Sequence, residues 1–418
     1  MKRNLEKETV KKIGQRILSE ANDLKRTFES ICDELHIDIA RFNDVFSGSA
    51  SYDEAIELAK LISTNYPVKL GDLILEIPDT DRGLKLMRKK ASELSKRVFL
   101  RLDRNQKRTP YYEYRDTATA TLSPFKPEWI EELRVVKDDK PDNPDVAYNN
   151  GHFLHQMTAF IGPVNFYWEL DGKKYLKQME TGSSNYITPF VKHSFASRDS
   201  SQPAIIIAVT FSSDAGRSRG EFYSIGNDRL QSYILKNRQS DYAISQLVQQ
   251  ILNDKCLTIH NLEKIAERND INIDLEQLLN PVSSKSEDNI HKLAKLLKIK
   301  PSVFELPIHK SDDIVVKDKD RSEAYIFNSN NTQPDYIINP LAMSERLPSI
   351  NGFDIEIASS KNENSSQLSS SLHTYIYNYG DESFEFYWIF DGKEHQETVH
   401  PDDSIYLEPF IQHKFFTS

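Results

Sequence analysis

The chain has 418 residues, a formal net charge of −10 and two cysteines, Cys32 and Cys256. That length allows two to four domains with a well-buried core. The acidic balance argues against general binding to nucleic acid or a membrane surface, and so few cysteines argue against a disulfide framework or thiolate metal site and fit a reducing cytoplasm.

Residues 1–15 are charged and lack an apolar core, so no signal peptide is expected there. No run of about 18 apolar residues predicts a membrane span. Residues 10–75 carry helical periodicity, as in Phe28, Ile31, Cys32 and Leu35, then Ala55, Leu58, Ala59 and Leu61. The pattern looks like a small helix-turn-helix bundle. Strand-like alternation follows in Tyr111 to Ala120, Leu154 to Leu170 and Ala204 to Phe211, with turn signals at Gly162-Pro163 and Asp171-Gly172. Residues 240–305 are helical again, with Leu262, Ile265 and Ala266, then Leu293, Ala294, Leu296 and Leu297. A last strand-like run spans Tyr375 to Phe390.

The chain repeats itself. Phe166-Tyr167-Trp168 and Asp171-Gly172-Lys173 recur as Phe386-Tyr387-Trp388 and Asp391-Gly392-Lys393. Tyr186, Pro189, Phe190 and His193 recur at the same offset of 220 as Tyr406, Pro409, Phe410 and His413. A period this long means duplicated domains. Many short strands suggest an antiparallel barrel or jelly roll. The expected class is therefore α+β, a helical bundle and a barrel in tandem duplication. Boundaries are expected at 1–80 (helical), 81–225 (barrel), 226–310 (helical) and 311–418 (barrel). The chain runs only five residues past His413, so the second barrel is expected to lack its last strands or to have them replaced.

The candidate chemistry lies in Asn149-Asn150-Gly151-His152, Gln156 and His193. Two imidazoles and one oxygen donor on one face, with open positions opposite, is how non-haem Fe(II) is held for oxygen chemistry. The usual third ligand is a carboxylate; here the position offers an amide. Most histidines are surface or satisfied core residues, and His36, His260, His291 and His309 lie in helical or linker segments. His155 alternates out of phase with Gln156. At an offset of 220, His152 and Gln156 meet Leu372 and Ile376, so the second barrel is expected to be a degenerate copy. A DNA-reading role for the bundle is disfavoured, because the candidate recognition segment Asp38 to Asp44 presents two carboxylates to phosphates.

These residues resemble the family of phosphonate-modifying non-haem iron enzymes, which includes hydroxyethylphosphonate dioxygenase, hydroxypropylphosphonate epoxidase and methylphosphonate synthase. The resemblance covers essentially the whole chain. It implies helix-turn-helix-like bundles joined to cupin barrels, and an Fe(II) held by His152, Gln156 and His193. The epoxidase has glutamate at the position of Gln156, and the dioxygenase has glutamate at that of Ile187. An amide at the first with an apolar residue at the second resembles the synthase branch. The resemblance further implies a phosphonate clamp of Lys25, given across subunits, with Tyr112, Tyr114, Asn149 and one of Arg104 or Arg108, Arg104 being slightly preferred. Lys, Arg and Tyr donors suit a phosphonate dianion.

The function so implied is O2-dependent C–C cleavage of 2-hydroxyethylphosphonate to methylphosphonate and carbon dioxide or bicarbonate. Hydrogen abstraction at C2 would precede cleavage, and bound formate would quench the methylphosphonyl radical. A cytoplasmic homo-oligomer, dimer or tetramer, is expected, with no nucleic-acid or membrane partner. The alternatives are the dioxygenase reaction, giving hydroxymethylphosphonate and formate, and a cupin-type transcriptional regulator.

Overall fold

The computed structural model describes residues 2–211, 240–305, 314–320, 322–327, 334–344, 347, 349–358 and 366–417. The expected boundaries at 225/226 and 310/311, and His309, lie outside them.

Helices α1 (Lys2–Asp23), α2 (Phe28–Leu35), α3 (Ile39–Ser47), α4 (Tyr52–Asn65) and α5 (Leu70–Leu73) form the first bundle. Val10, Ile13, Ile17 and Ala21 recur at three- and four-residue spacing and bury against Phe42, Val45, Leu58 and Ile62. Capping boxes at Thr27 and Ser51 start α2 and α4. Strand β1 (Leu84–Met87) and the short α6 (Lys89–Leu94) follow. The second bundle is α7 (Ser240–Asp254), α8 (Ile259–Arg268), α9 (Leu275–Leu279) and α10 (Glu287–Leu297), around Val248, Leu252, Leu262, Leu278, Leu293 and Leu297. Among the described residues no helix is long and apolar enough to cross a membrane.

The first half builds β2 (Arg97–Leu102), β3 (Arg108–Asp116), β4 (Phe125–Glu132), β5 (His155–Ile161), β6 (Val164–Leu170), β7 (Lys173–Met179), β8 (Ser184–Ile187), β9 (Lys192–Ser197) and β10 (Ile205–Phe211). The run from Tyr111 to Ala120 stops being a strand at Asp116. Beyond it, Ala118 and Ala120 pack against Tyr406 of the other half, and Ala118 donates its N–H to Ser404 Oγ. The run from Leu154 to Leu170 is two strands, broken where Gly162 takes a positive φ and Pro163 follows.

The second half contributes β11 (Ile314–Lys317), β12 (Tyr325–Phe327), β13 (Tyr336–Pro340), β14 (Phe353–Ile357), β15 (Thr374–Tyr377), β16 (Phe384–Phe390), β17 (Lys393–Val399), β18 (Ser404–Leu407) and β19 (Gln412–Thr417). Sheets β7-β6-β9 and β17-β16-β19 have the same order and register, Trp168 facing His193 as Trp388 faces His413.

The remaining sheets are β11-β8-β5-β10-β4-β3-β2, β1-β18-β15 and β12-β13-β14. The halves thus exchange strands. β1 from the first half pairs with β18 (Leu84 opposite Leu407), and β11 from the second pairs with β8 (Ile314 opposite Ile187).

The pairing also corrects the sequence alignment. Gln156 faces Ile187, whereas Thr374 faces Leu407. His152 O accepts from Phe190 N, and Ser370 O accepts from Phe410 N. The counterparts of His152 and Gln156 are therefore Ser370 and Thr374, at an offset of 218, and not Leu372 and Ile376. Thr374 lies ten residues ahead of the start of β16 at Phe384, whereas Gln156 lies eight ahead of the start of β6 at Val164, so a fixed offset of 220 fails ahead of these strands.

Candidate metal centre

The site forms where the segment entering β5 crosses the segment entering β9. Gly151 has φ +76, a region open to glycine at no steric cost, and its Cα lies so close to Phe190 that a Cβ would sit 2.5 Å from the Phe190 carbonyl carbon. Asn149 ties the segments together. Its N–H donates to His193 O (2.9 Å), while its Oδ1 accepts from His193 N (3.0 Å) and Gly151 N (2.9 Å).

Both imidazoles are oriented the same way. His152 Nδ1 lies 2.6 Å from Leu154 O, and His193 Nδ1 lies 2.8 Å from Val191 O. A carbonyl only accepts, so each Nδ1 carries a proton, and in the neutral ring Nε2 keeps its lone pair. The rings meet edge to face, with centroids 5.1 Å apart. His193 is 3% exposed, and burial pushes its pKa down to about 4, so it is neutral over the physiological range.

Gln156 donates its Nε2 to Thr158 Oγ1 (2.9 Å) and turns Oε1 to within 3.2 Å of His152 Nε2. With a neutral His152 ring, two acceptors face one another with no proton between them, the arrangement a cation relieves. Ile187, directly opposite Gln156, is fully buried and offers no ligand. Among the described residues no trio of His, Cys, Asp and Glu could hold a metal; a centre here depends on the amide. His155 lies on the other face, with Nδ1 2.6 Å from Tyr186 Oη and its ring stacked on Phe211.

The expected phosphonate ligands are less gathered. Tyr112 is buried, with Oη 3.1 Å from Ser194 Oγ and accepting from Phe195 N. The β-bulge between Phe99 and Leu100 leaves Tyr111 without a partner in the β2–β3 ladder, and its Oη lies 2.9 Å from the same Ser194 Oγ. Tyr114 is half-buried against Phe99 and Tyr112. Arg104 is exposed and already paired with Asp145 (Nε to Oδ2, 2.7 Å), while Arg108 is exposed at the start of β3. Lys25 is exposed with φ +57 just ahead of the Thr27 cap, its Nζ 3.3 Å from Asn22 O.

Sequence reasoning missed Thr158, Tyr111 and Ser194. The period of two places Thr158 on the same strand face as Gln156, a signal that could have found it. The bulge that frees Tyr111 leaves no mark in the sequence.

No family model matches the chain. It is 33% identical over 408 residues to methylphosphonate synthase from Nitrosopumilus maritimus strain SCM1, covering 96% of this chain and 86% of that protein. It superposes on Streptomyces albus hydroxyethylphosphonate dioxygenase, solved with 2-hydroxyethylphosphonate and Fe(II) bound, with TM-score 0.80 and 27% identity, over 98% of this chain and 90% of that one. Another 2-hydroxyethylphosphonate dioxygenase structure, at 17% identity, shares the fold with TM-score 0.71, over 97% of this chain and 92% of that one. The chain belongs to the family of methylphosphonate synthase and hydroxyethylphosphonate dioxygenase, the non-haem iron enzymes of phosphonate chemistry.

Proposed function

We propose that this protein is an Fe(II)- and O2-dependent methylphosphonate synthase acting on 2-hydroxyethylphosphonate. The observation that carries the reading is the opposed pair of acceptors, His152 Nε2 and Gln156 Oε1 at 3.2 Å, beside buried, neutral His193 and with no carboxylate at position 187. The donor set fits Fe(II), with His152, Gln156 and His193 as the residues that would hold it. Bound iron would supply the one-electron chemistry that lets O2 react with C–H and C–C bonds.

The balanced reaction converts one 2-hydroxyethylphosphonate and one O2 into methylphosphonate, carbon dioxide and water, so the substrate supplies all four electrons and no other reductant is needed. The Gln156 amide adds no charge to the site. An anionic one-carbon fragment such as formate is then retained more strongly than beside a carboxylate, and can give up its hydrogen. Asn149 Nδ2, now 3.0 Å from His193 Nε2, loses that acceptor once the lone pair is used and becomes a free donor for a phosphonate oxygen. Lys25, Tyr112, Tyr114 and Arg104 or Arg108 would complete the clamp.

The family likeness supports the finer architecture: a helix-turn-helix-like bundle and a cupin barrel in tandem duplication, with boundaries near 80, 225 and 310. The matching registers of the two outer sheets and the reciprocal exchange of β1 and β11 favour it. Lys25 would act from a neighbouring subunit of a homo-oligomer. Phosphorus NMR of the product tests the reading. Methylphosphonate is expected; hydroxymethylphosphonate with formate would make the chain a dioxygenase.

A further inference from the structure

The sheet that carries Gln156 also carries a buried polar pair with no use so far. Thr158 and Asn185 face one another across β5 and β8, two residues along from Gln156 and Ile187. Opposed residues share a face, and strand residues two apart share it too. Both side chains are 0% exposed. Thr158 Oγ1 accepts from Gln156 Nε2, whereas neither Oδ1 nor Nδ2 of Asn185 has a partner. Such groups destabilise a fold unless something satisfies them.

The other half supplies the control. In the same register Ile376 faces Ile405 across β15 and β18, at the positions of Thr158 and Asn185. The strand pairing is therefore built equally well from two isoleucines. The polar pair occurs in the half that holds His152 and His193, and not in the half with Ser370, Thr374 and His413.

We propose that Thr158 and Asn185 are positioning residues that fix which end of the Gln156 carboxamide faces the histidines, an inference that rests on the metal reading above. The two ends of a carboxamide are nearly identical in shape, but only the oxygen can ligate a cation. The Thr158 hydroxyl could satisfy either end. If its proton pointed at Gln156, the amide would reverse and present its NH2 to the histidines. Asn185 Oδ1 is an unpartnered acceptor directly across the strand pair, where opposed Cβ atoms lie about 5 Å apart. It takes the Thr158 proton through one bridging water. The Thr158 lone pair is then left for Gln156 Nε2, and Gln156 Oε1 is left for the metal.

The test uses the full chain, loaded anaerobically with Fe(II) and separately with Co(II). Metal affinity, the visible Co(II) spectrum and the metal-free Tm are measured for the parent, Thr158→Val, Thr158→Ser, Asn185→Leu and His193→Ala. Thr158→Val and Asn185→Leu should weaken metal binding ~10–100-fold and change the Co(II) spectrum, with the metal-free Tm unchanged or higher. Thr158→Ser, which keeps the hydroxyl, should restore both. Parent-like affinity and spectrum in Thr158→Val and Asn185→Leu would overturn the proposal while leaving the metal reading intact. A fall in metal-free Tm that accounts for the metal loss in both variants would assign the pair to the fold and also overturn it. If the parent binds neither metal, or His193→Ala binds as the parent does, the metal reading itself fails and the proposal with it.

Discussion

Gly151→Ala separates the geometry of the site from the stability of the fold. At φ +76 any side chain pays the left-handed penalty, about 1–2 kcal/mol. A Cβ would also lie 2.5 Å from Phe190 C, 2.7 Å from its O and 2.8 Å from its Cα, where ordinary contact begins at 3.4 Å. The two segments must therefore part by about 1 Å, the scale at which a displaced group can lose 10²-fold in function. What parts is the proposed metal cradle: Phe190 N donates to His152 O, and Val191, the next residue, holds His193 Nδ1. Gly172→Ala is the control, since Gly172 has φ +75 and nothing within 4 Å of its added Cβ. Both variants should lose the backbone term in urea or thermal unfolding. Only Gly151→Ala should lose Fe(II) affinity, by ~10-fold or more. Equal metal affinity in the two variants would refute the account of how the cradle is held.

Gln156→Glu keeps an oxygen at the same reach but adds a negative charge. Iron should still bind, and phosphorus NMR should show product drifting from methylphosphonate toward hydroxymethylphosphonate; clean methylphosphonate would move the determinant elsewhere. Lys25→Ala should leave iron content intact and raise half-saturation by phosphonate in steady-state assays, since a charge-assisted bond is worth roughly 1.5–3 kcal/mol; unchanged half-saturation would assign the clamp to another cation. Glu132 is 4% exposed, neither carboxyl oxygen has a partner, and burial pushes its pKa well above the usual carboxylate range. The folded state keeps a proton that the unfolded chain gives up above about pH 4.5. Its contribution to stability is therefore fully present below that pH and is lost as pH rises. Glu132→Gln should raise Tm at pH 8 more than at pH 4; an equal effect at both would show that Glu132 is ionised in the fold.

The repeat was legible because the aromatic run at 166–173 and the segment to His193 recur with no insertion. The candidate ligand segments, which the fold brings together, stood out because His152 and Gln156 lie four residues apart and His193 ends a strand-like turn. The exchange of β1 and β11 was not, because four-residue strands that pair across the chain carry no local turn signal. The two extra residues between Thr374 and Phe384, relative to Gln156 and Val164, were equally silent, so a constant offset pointed to Leu372 and Ile376 where the ladder places Ser370 and Thr374. Asn185 carries no signal of its own in the sequence; only its pairing with Thr158, and the two isoleucines in place of that pair across the repeat, give it meaning.

The most direct test of the central claim is iron stoichiometry after anaerobic loading of the parent, His193→Ala and His413→Ala. The account predicts one Fe(II) per chain in the parent, none in His193→Ala and one in His413→Ala. Full loading of His193→Ala, or loss of iron from a folded His413→Ala, would contradict it.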